Sequence, residues 1–431
     1  MPGRKGTTGS AVKRSNRALI TRQRSSSKSR GASRASHELV LFDNAQFIYE
    51  LALSEIELEA LGVDFNITNG LRHFDVHNDP DTETLRKRLA YFKLVDGEKT
   101  DYWHICQKNR TRSVNQYLTH WIYPYKGKFH PQMIRALLNV LNLNPGDVVL
   151  DPFIGSGTAA LEAQLLGIHS IGIDVSSLCI MQTKVKTQSI HALEKIRRKR
   201  DKLVDLTDFP LGEGKTKDLY QTIMAIRDMS VRSFYLMAYL IAVSDRERRN
   251  RNFNRSFVKN VDLMIGSVAD LRDVTKQLKL KLGDVDVRVG DSRHLDINSS
   301  SIDGIVTSPP YSIALDYVAN DAHALSMLRY DLNSFREQFV GVRGKGAERV
   351  GLYNEDMIAS YKEMYRVLKS GKFAAIVIGN ATYNGQEVKT VEFTIEQCEK
   401  LGFKLVRNID KIIFGLYSIM QKENILIFRK R

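Results

Sequence analysis

Thr307-Ser308-Pro309-Pro310-Tyr311 closes a short apolar run, Ile302-Asp303-Gly304-Ile305-Val306, that reads as a buried strand. Two consecutive prolines fix φ and remove two backbone donors. The carbonyls of Ser308 and Pro309 are then left without a local partner and can face a ligand. Ser308 adds a hydroxyl, and Tyr311 adds a flat aromatic face. Acceptors aimed at one point beside a stacking ring suit an exocyclic amine on a planar base drawn out of a duplex. Taken alone, Pro-Pro-Tyr reads equally well as a proline-rich turn with a core tyrosine, so its surroundings decide.

A second stretch supplies them. Asp147-Val148-Val149-Leu150 reads as a strand, followed by Asp151-Pro152-Phe153-Ile154-Gly155-Ser156-Gly157-Thr158 and a helix over 159–166. Gly167 closes that helix, and 168–173 reads as a second strand ending at Asp174. Strand, glycine turn and helix, with an acid ending the next strand, make the nucleotide-binding half of a doubly wound sheet. The glycines let backbone approach a ligand, and Asp174, 23 residues after Asp151, is placed for ribose hydroxyls. The turn reads G-x-G-T, and no basic residue is present to hold a pyrophosphate. That points away from NAD or ATP and toward S-adenosyl-L-methionine, an adenosine ligand without phosphates.

Together with the strand end Gly172-Ile173-Asp174, these two stretches resemble the amino-group DNA methyltransferases, which methylate N4 of cytosine or N6 of adenine. The loop Tyr125-Lys126-Gly127-Lys128-Phe129-His130-Pro131 is similar to the family's motif before the glycine loop, and Ile313-Ala314-Leu315-Asp316-Tyr317 extends the likeness. The resemblance spans 109–195 and 284–431. It implies a Rossmann-like α/β methyltransferase sheet, mostly parallel, of seven strands with an antiparallel closing hairpin. It implies that Tyr125, Lys128, Phe129 and Pro131 lie along the methionine part of the cofactor. Asp151, Phe153, Gly155, Ser156, Gly157, Thr158 and Asp174 would hold the rest, with Asp291, at the end of a third strand, on the adenine amine. Ser308, Pro309, Pro310 and Tyr311 become the catalytic residues.

Amino methylation needs no covalent intermediate. The amine lone pair is conjugated into the ring, and hydrogen bonds from its two N–H groups to the Ser308 side chain and the Pro309 carbonyl would free it. Ring-carbon methylation would need a cysteine nucleophile, usually after proline, and none of Cys106, Cys179 or Cys398 follows one. Serine before Pro-Pro-Tyr resembles the N4-cytosine subgroup. The alternatives are an N6-adenine enzyme, an RNA guanine-N2 methyltransferase, and a non-enzymatic DNA-binding regulator. Duplex DNA and a cognate restriction endonuclease are the partners implied, in a cytoplasmic, nucleoid-associated setting.

The rest of the 431 residues frames these motifs. The chain is 43% apolar, enough for a real core, with no run long enough to span a membrane and no metal-ligand spacing among the cysteines. Its formal charge of +15 is uneven: residues 1–37 hold ten Lys/Arg and no acid, and 196–283 hold 19 Lys/Arg against 11 Asp/Glu. Basic appendages on a nearly neutral body suit a polyanion. Residues 1–37 are expected to be a disordered basic arm and 38–108 a helical region, with helices over 46–61 and 81–92. Asp151 and Thr307 are 156 residues apart, about twice what one Rossmann unit requires, so 196–283 reads as a helical insertion. Arg248 and Arg249 in it, and Lys345 in the glycine-rich loop 341–346, are the candidate DNA contacts, that loop being expected to move until DNA binds.

Overall fold

The computed structural model describes residues 37–207, 213–310, 316–346, 348–383, 386–414 and 420–431. The expected basic arm therefore lies outside the described residues, apart from His37, and so does Tyr311.

Seven strands form the sheet that carries the motifs. In chain order they are β6 (Val148–Asp151), β7 (His169–Asp174), β8 (Val285–Val289), β9 (Ile302–Thr307), β10 (Leu368–Ile378), β13 (Phe403–Phe414) and β14 (Met420–Lys430). Their spatial order is β13-β14-β10-β9-β6-β7-β8. The first five are parallel to one another, and β14 runs antiparallel to both β10 and β13. This is the expected methyltransferase sheet with its closing hairpin, whose strands are longer than the apolar runs at 403–408 and 425–428 indicate. All six residues of β9 are buried, as a central parallel strand covered on both faces requires.

Residues 38–108 depart from expectation. They contain a second, five-stranded antiparallel sheet, ordered β2-β3-β1-β4-β5, from β1 (His37–Leu41), β2 (Phe65–Thr68), β3 (His73–Val76), β4 (Phe92–Val95) and β5 (Glu98–Lys99). Three helices accompany it: α1 (Ile48–Ala60), α2 (Thr82–Arg88) and α3 (Asp101–Gln107). Helical periodicity identified α1 and α2. The strands were missed because they are only two to five residues long, too short for alternation to show. Leu39, Phe74 and Phe92 join one apolar core with Ile134 and Leu137 of α4 (Pro131–Val140) and with Ala160 of α5 (Thr158–Leu165), so packing runs unbroken across residue 108.

Four helices make up most of the described part of the insertion, the first entering it from before residue 196: α6 (Ser177–Asp205), α7 (Glu213–Met224), α8 (Met229–Arg249) and α9 (Phe253–Gln277). Asp228 caps α8 by accepting from the N–H groups of Ser230 and Val231, and Asn252 caps α9 through the N–H of Arg255. Asn250 ends α8 in the left-handed conformation. The helices exceed the expected 178–200, 234–243 and 261–282 at one or both ends because their polar turns are held by packing of the apolar face. Phe234, Met237, Phe257, Val261 and Met264 build that second core with Leu193 and Ile196 of α6.

After β9 come three short helices, α10 (Tyr317–Asn320), α11 (Ala322–Met327) and α12 (Leu332–Arg336), and then α13 (Glu348–Val367). β11 (Ala381–Tyr383) and β12 (Gln386–Val388) form a small hairpin, and α14 (Thr390–Lys400) leads to the last two strands. α13 starts ten residues before the expected 358 because Tyr353 and Met357, fully packed beneath it, outweigh Gly351 in its second turn. The loop 341–346 is anchored at its start: Arg343 donates to Asp356 at 2.8 Å and Arg349 to the Gly341 carbonyl at 2.8 Å. Lys345 stands exposed near its end.

Candidate active site

β6 and β9 are hydrogen-bonded neighbours, Val149 beside Gly304 and Leu150 beside Ile305. From β6 the chain proceeds outward through β7 and β8, whereas from β9 it proceeds the other way to β10. Their C-terminal ends therefore open where the winding reverses, the place where open α/β sheets form a crevice. The buried Thr307 hydroxyl donates to Asp151 Oδ1 at 2.6 Å, tying the two strand ends together.

One cleft takes in both turns. Phe153, Gly155 and Ser156 line it from the β6 side, and Ser308 and Pro310 from the β9 side. Asp174 and Val175 close it at the end of β7, and Gly290 and Ser292 after β8. Tyr125, Phe129, Tyr317 and Phe339 complete the wall.

The glycine turn is held from behind. Gly155 and Gly157 both have positive φ, +45° and +76°, which only glycine adopts without strain. A Cβ on Gly157 would meet Thr183 Oγ1 at 2.5 Å, and one on Gly155 would meet Tyr125 Oη at 3.0 Å. Asp174 accepts the Gly155 N–H on one oxygen at 3.0 Å and the Ser176 N–H on the other at 2.9 Å. The Gly155 carbonyl accepts from Gln182 at 2.9 Å and the Ser156 carbonyl from Lys186 at 2.6 Å.

These groups sit in little water. Burial pushes the Asp151 carboxyl up to about 7, although the Thr307 hydroxyl and the Phe153 N–H oppose it. Burial likewise raises Asp174 to about 6, against its backbone N–H partners. Lys186 is fully buried, and among the described residues no carboxylate pairs with it. Desolvation, with Lys128 close by, holds its amine well below the usual lysine range.

Tyr125 stacks on Tyr317 with centroids 6.2 Å apart and planes at 25°, and Tyr317 stacks on Phe339 at 5.8 Å and 21°. Tyr317 lay in the family-like segment but was not assigned to the site. Phe339 carried no sequence signal, being far from every motif.

Other anticipated residues stand behind the cleft rather than in its lining. Asp151 joins the strands, Gly157 caps α5, and Thr158 is buried with its hydroxyl 3.1 Å from that of Ser156. Lys128 donates to the His120 carbonyl and Pro131 opens α4 in the core. Asp291 is clasped by the Arg293 guanidinium at 2.6 Å, which also reaches Asp356 at 2.8 Å, so only its neighbours Gly290 and Ser292 face the cleft. Pro309 is buried between Ser308 and Pro310. Arg248 and Arg249 are exposed at the end of α8, Arg249 paired with Asp245 at 3.0 Å. Arg248 lies near Asp321, whose carboxylate accepts from Tyr123 at 3.0 Å.

As built, the cleft fits a nucleoside ligand without phosphates. It offers an acceptor carboxylate at Asp174, close backbone at Gly155, aromatic faces, and among its described lining no Lys or Arg.

A sequence profile described as DNA methylase, covering N6 and N4 enzymes, matches residues 20–184, which include the glycine turn and Asp174. Over that stretch the chain is similar to the amino-group methyltransferases. Among its relatives, the type II methyltransferase M.MjaII of Methanocaldococcus jannaschii is 42% identical over 25% of this chain and 22% of its own length. The type II methyltransferase M.BsoBI of Geobacillus stearothermophilus is 24% identical over 61% of this chain and 62% of its own. A tRNA (guanine(10)-N2)-dimethyltransferase of M. jannaschii is 33% identical over 21% of this chain and 24% of its own. The chain thus spans between about a fifth and three-fifths of the length of these curated relatives.

Proposed function

We propose that the chain transfers a methyl group from S-adenosyl-L-methionine to the exocyclic amine of a base in duplex DNA, with N4 of cytosine the favoured position. The observation that carries this reading is one cleft lined both by the glycine turn and by Ser308 and Pro310 of the turn after β9.

When bound, the cofactor supplies a methyl group on a positively charged sulfur. Asp174, at the end of β7, accepts from ribose hydroxyls while its backbone contacts keep the Gly155 turn in shape. Tyr125 and Phe129 lay aromatic surface along the methionine half. Cation–aromatic attraction of about 0.5–2 kcal/mol would favour the sulfonium over a neutral analogue there. On the other side, Ser308 Oγ accepts one N–H of the target amine and the Pro309 carbonyl takes the second. Two fixed acceptors draw the nitrogen toward tetrahedral geometry and release its lone pair for attack. The apolar wall from Phe153 to Phe339 excludes water from that path.

Serine at 308 supports cytosine over adenine, and the type II relatives support a restriction–modification setting with a cognate endonuclease. Incubating the protein with unmethylated genomic DNA and labelled cofactor, then digesting the product for mass spectrometry, tests the reading. N4-methylcytosine is expected, and methyladenine as the sole product would refute the cytosine assignment. The tRNA relatives support a second substrate class, a guanine N2 in tRNA. Methyl transfer to tRNA with none to duplex DNA would replace the first reading with that one.

A further inference from the structure

The longest helix of the insertion handles its cations in two ways. Lys195, Arg198, Lys199 and Lys202 recur at the i, i+3, i+4, i+7 spacing that puts them on one face of α6. Arg197 and Arg200, on the flank, are neutralised: Arg197 by Glu194 at 3.0 Å, and Arg200 by Asp262 of α9 at 2.6 Å. The stripe itself faces outward into a groove, closed on its far side by Arg227, Asp228 and Val231 at the start of α8. Lys195 holds Asp228, the acid in that lining, at 2.8 Å. Among the described residues no carboxylate pairs with Arg198, Lys199, Lys202 or Arg227, and all four are exposed. An array of four unneutralised cations in a concavity is complementary to a polyanion.

Its place in the fold identifies which polyanion. α6 begins at Ser177, just after Asp174 and Val175 of the cleft wall, and the stripe lies 18–25 residues further on. At 1.5 Å per residue that is roughly 27–38 Å away. α8 returns antiparallel to it: Tyr235 donates to the Ile196 carbonyl at 2.7 Å near its start, and Arg248 near its end lies beside Asp321. Its 21 residues cover roughly 30 Å. Along these helices cleft and groove are thus roughly 27–38 Å apart, a span that takes in the 34–36 Å of one turn of duplex DNA. The stripe, seven residues from end to end, is about 10 Å long, enough for about three successive phosphates at 3.4 Å of axial rise each.

We propose that this face of α6 seats the phosphate backbone of duplex DNA one turn away from the base held in the cleft. The inference rests on the DNA reading above and adds to it a remote docking site that sets affinity without touching the reacting groups. It makes α6 and α8 a measured spacer between docking and chemistry.

The test compares the full chain with Arg198→Ala/Lys199→Ala/Lys202→Ala, using mixed-sequence duplexes of about 24 base pairs (about two turns) and genomic DNA as methyl acceptor. The logarithm of affinity against that of salt should become shallower by about 2.7, at about 0.9 per lost phosphate contact. KM for genomic DNA should rise about tenfold or more at low salt, with kcat and cofactor affinity unchanged. Arg198→Lys/Lys199→Arg/Lys202→Arg, which keeps the charge, should restore wild-type binding, and Arg197→Ala on the paired flank should leave the slope within about one unit. An unchanged slope and KM in the triple alanine variant, while the wild type methylates duplex DNA, would overturn the docking site and leave the function standing. A wild type that methylates tRNA and no duplex would overturn both.

Discussion

Ionisable groups at the head of the sheet are withdrawn from water and tied to backbone, whereas those of the helical insertion stand in water and are tied, where tied at all, to one another. Asp151, Asp174 and Lys186 each satisfy a hydroxyl, N–H or carbonyl of the strand ends and the glycine turn. Arg197, Arg200 and Arg249 meet carboxylates on the protein surface, and Arg198, Lys199 and Lys202 meet none among the described residues. The difference teaches what each region can do. Buried groups are costly to move and fix geometry to a fraction of an ångström, as group transfer demands. Exposed cations contribute little singly but add up through counterion release, as docking on a polyanion demands.

If that contrast holds, substitutions in the cleft should act on chemistry and stability steeply, and those in the insertion should act gently. Ser308→Ala should have the largest effect, lowering kcat by about 100- to 1000-fold through loss of one fixed acceptor, with cofactor affinity within about twofold. Single-turnover kinetics beside calorimetry of the cofactor would check it, and a matching loss of cofactor affinity would move Ser308 from the chemistry to the binding site.

Gly157→Ala comes next. The positive φ and the 2.5 Å approach to Thr183 Oγ1 should together lower stability by about 2–4 kcal/mol in urea denaturation. Adding Thr183→Ala should recover the steric part and leave about 1–2 kcal/mol of backbone strain.

Asp151 provides a pH signature of the buried kind. Its folded carboxyl titrates near 7, above its ordinary 3.8, so its stabilising contribution is complete below about pH 4. As pH rises toward 7 the unfolded chain releases this proton first, and stability falls until the folded group ionises too. Asp151→Asn keeps an acceptor for Thr307 and removes the titration. The wild-type-minus-variant stability difference should therefore decline from pH 4 to 7. Glu57, raised to about 7 by burial, slopes the same way in both proteins and cancels in that difference. A flat difference would show that Asp151 is no more desolvated than an exposed acid.

Arg249→Ala should have the smallest effect, because the pair with Asp245 is exposed on the arginine side and spans one helical turn. Stability should change by under about 1 kcal/mol, and the salt slope on duplex DNA by at most about one unit. A loss of several kcal/mol would place Arg249 among the structural charges and break the contrast.

Much of the sheet could be read from residues alone, since β6 and β9 are short, largely apolar runs, β8 alternates valine with charged residues, and β7 lies between Gly167 and its own terminal Asp174. The helices of the insertion were legible in their apolar centres and not at their polar ends. Those ends hold only because Phe234, Phe257 and Leu193 pack together. The N-terminal sheet was not legible: Asn69-Gly70 and Asp96-Gly97 mark its two local hairpins, but β1 pairs with β3 and β4 across as many as 56 residues and every strand is short. Within the site, Gly155, Ser156, Asp174 and Ser308 announced themselves by type and spacing. Phe339 and Ser292 reached the cleft by packing that no spacing encodes.

By itself, then, the sequence determined the order of the motifs, the left-handed glycine turn and the proline-stiffened acceptors after the fourth parallel strand. These properties depend on covalent geometry and on residues within a few positions of one another. Tertiary structure alone decided that those two turns open into one cleft, because that requires β6 and β9 to pair across more than 150 residues. It also decided which cations of α6 are spent on Glu194 and Asp262 and which remain for a partner. Charge complementarity depends on distance in space, and that distance is settled only when the helices pack.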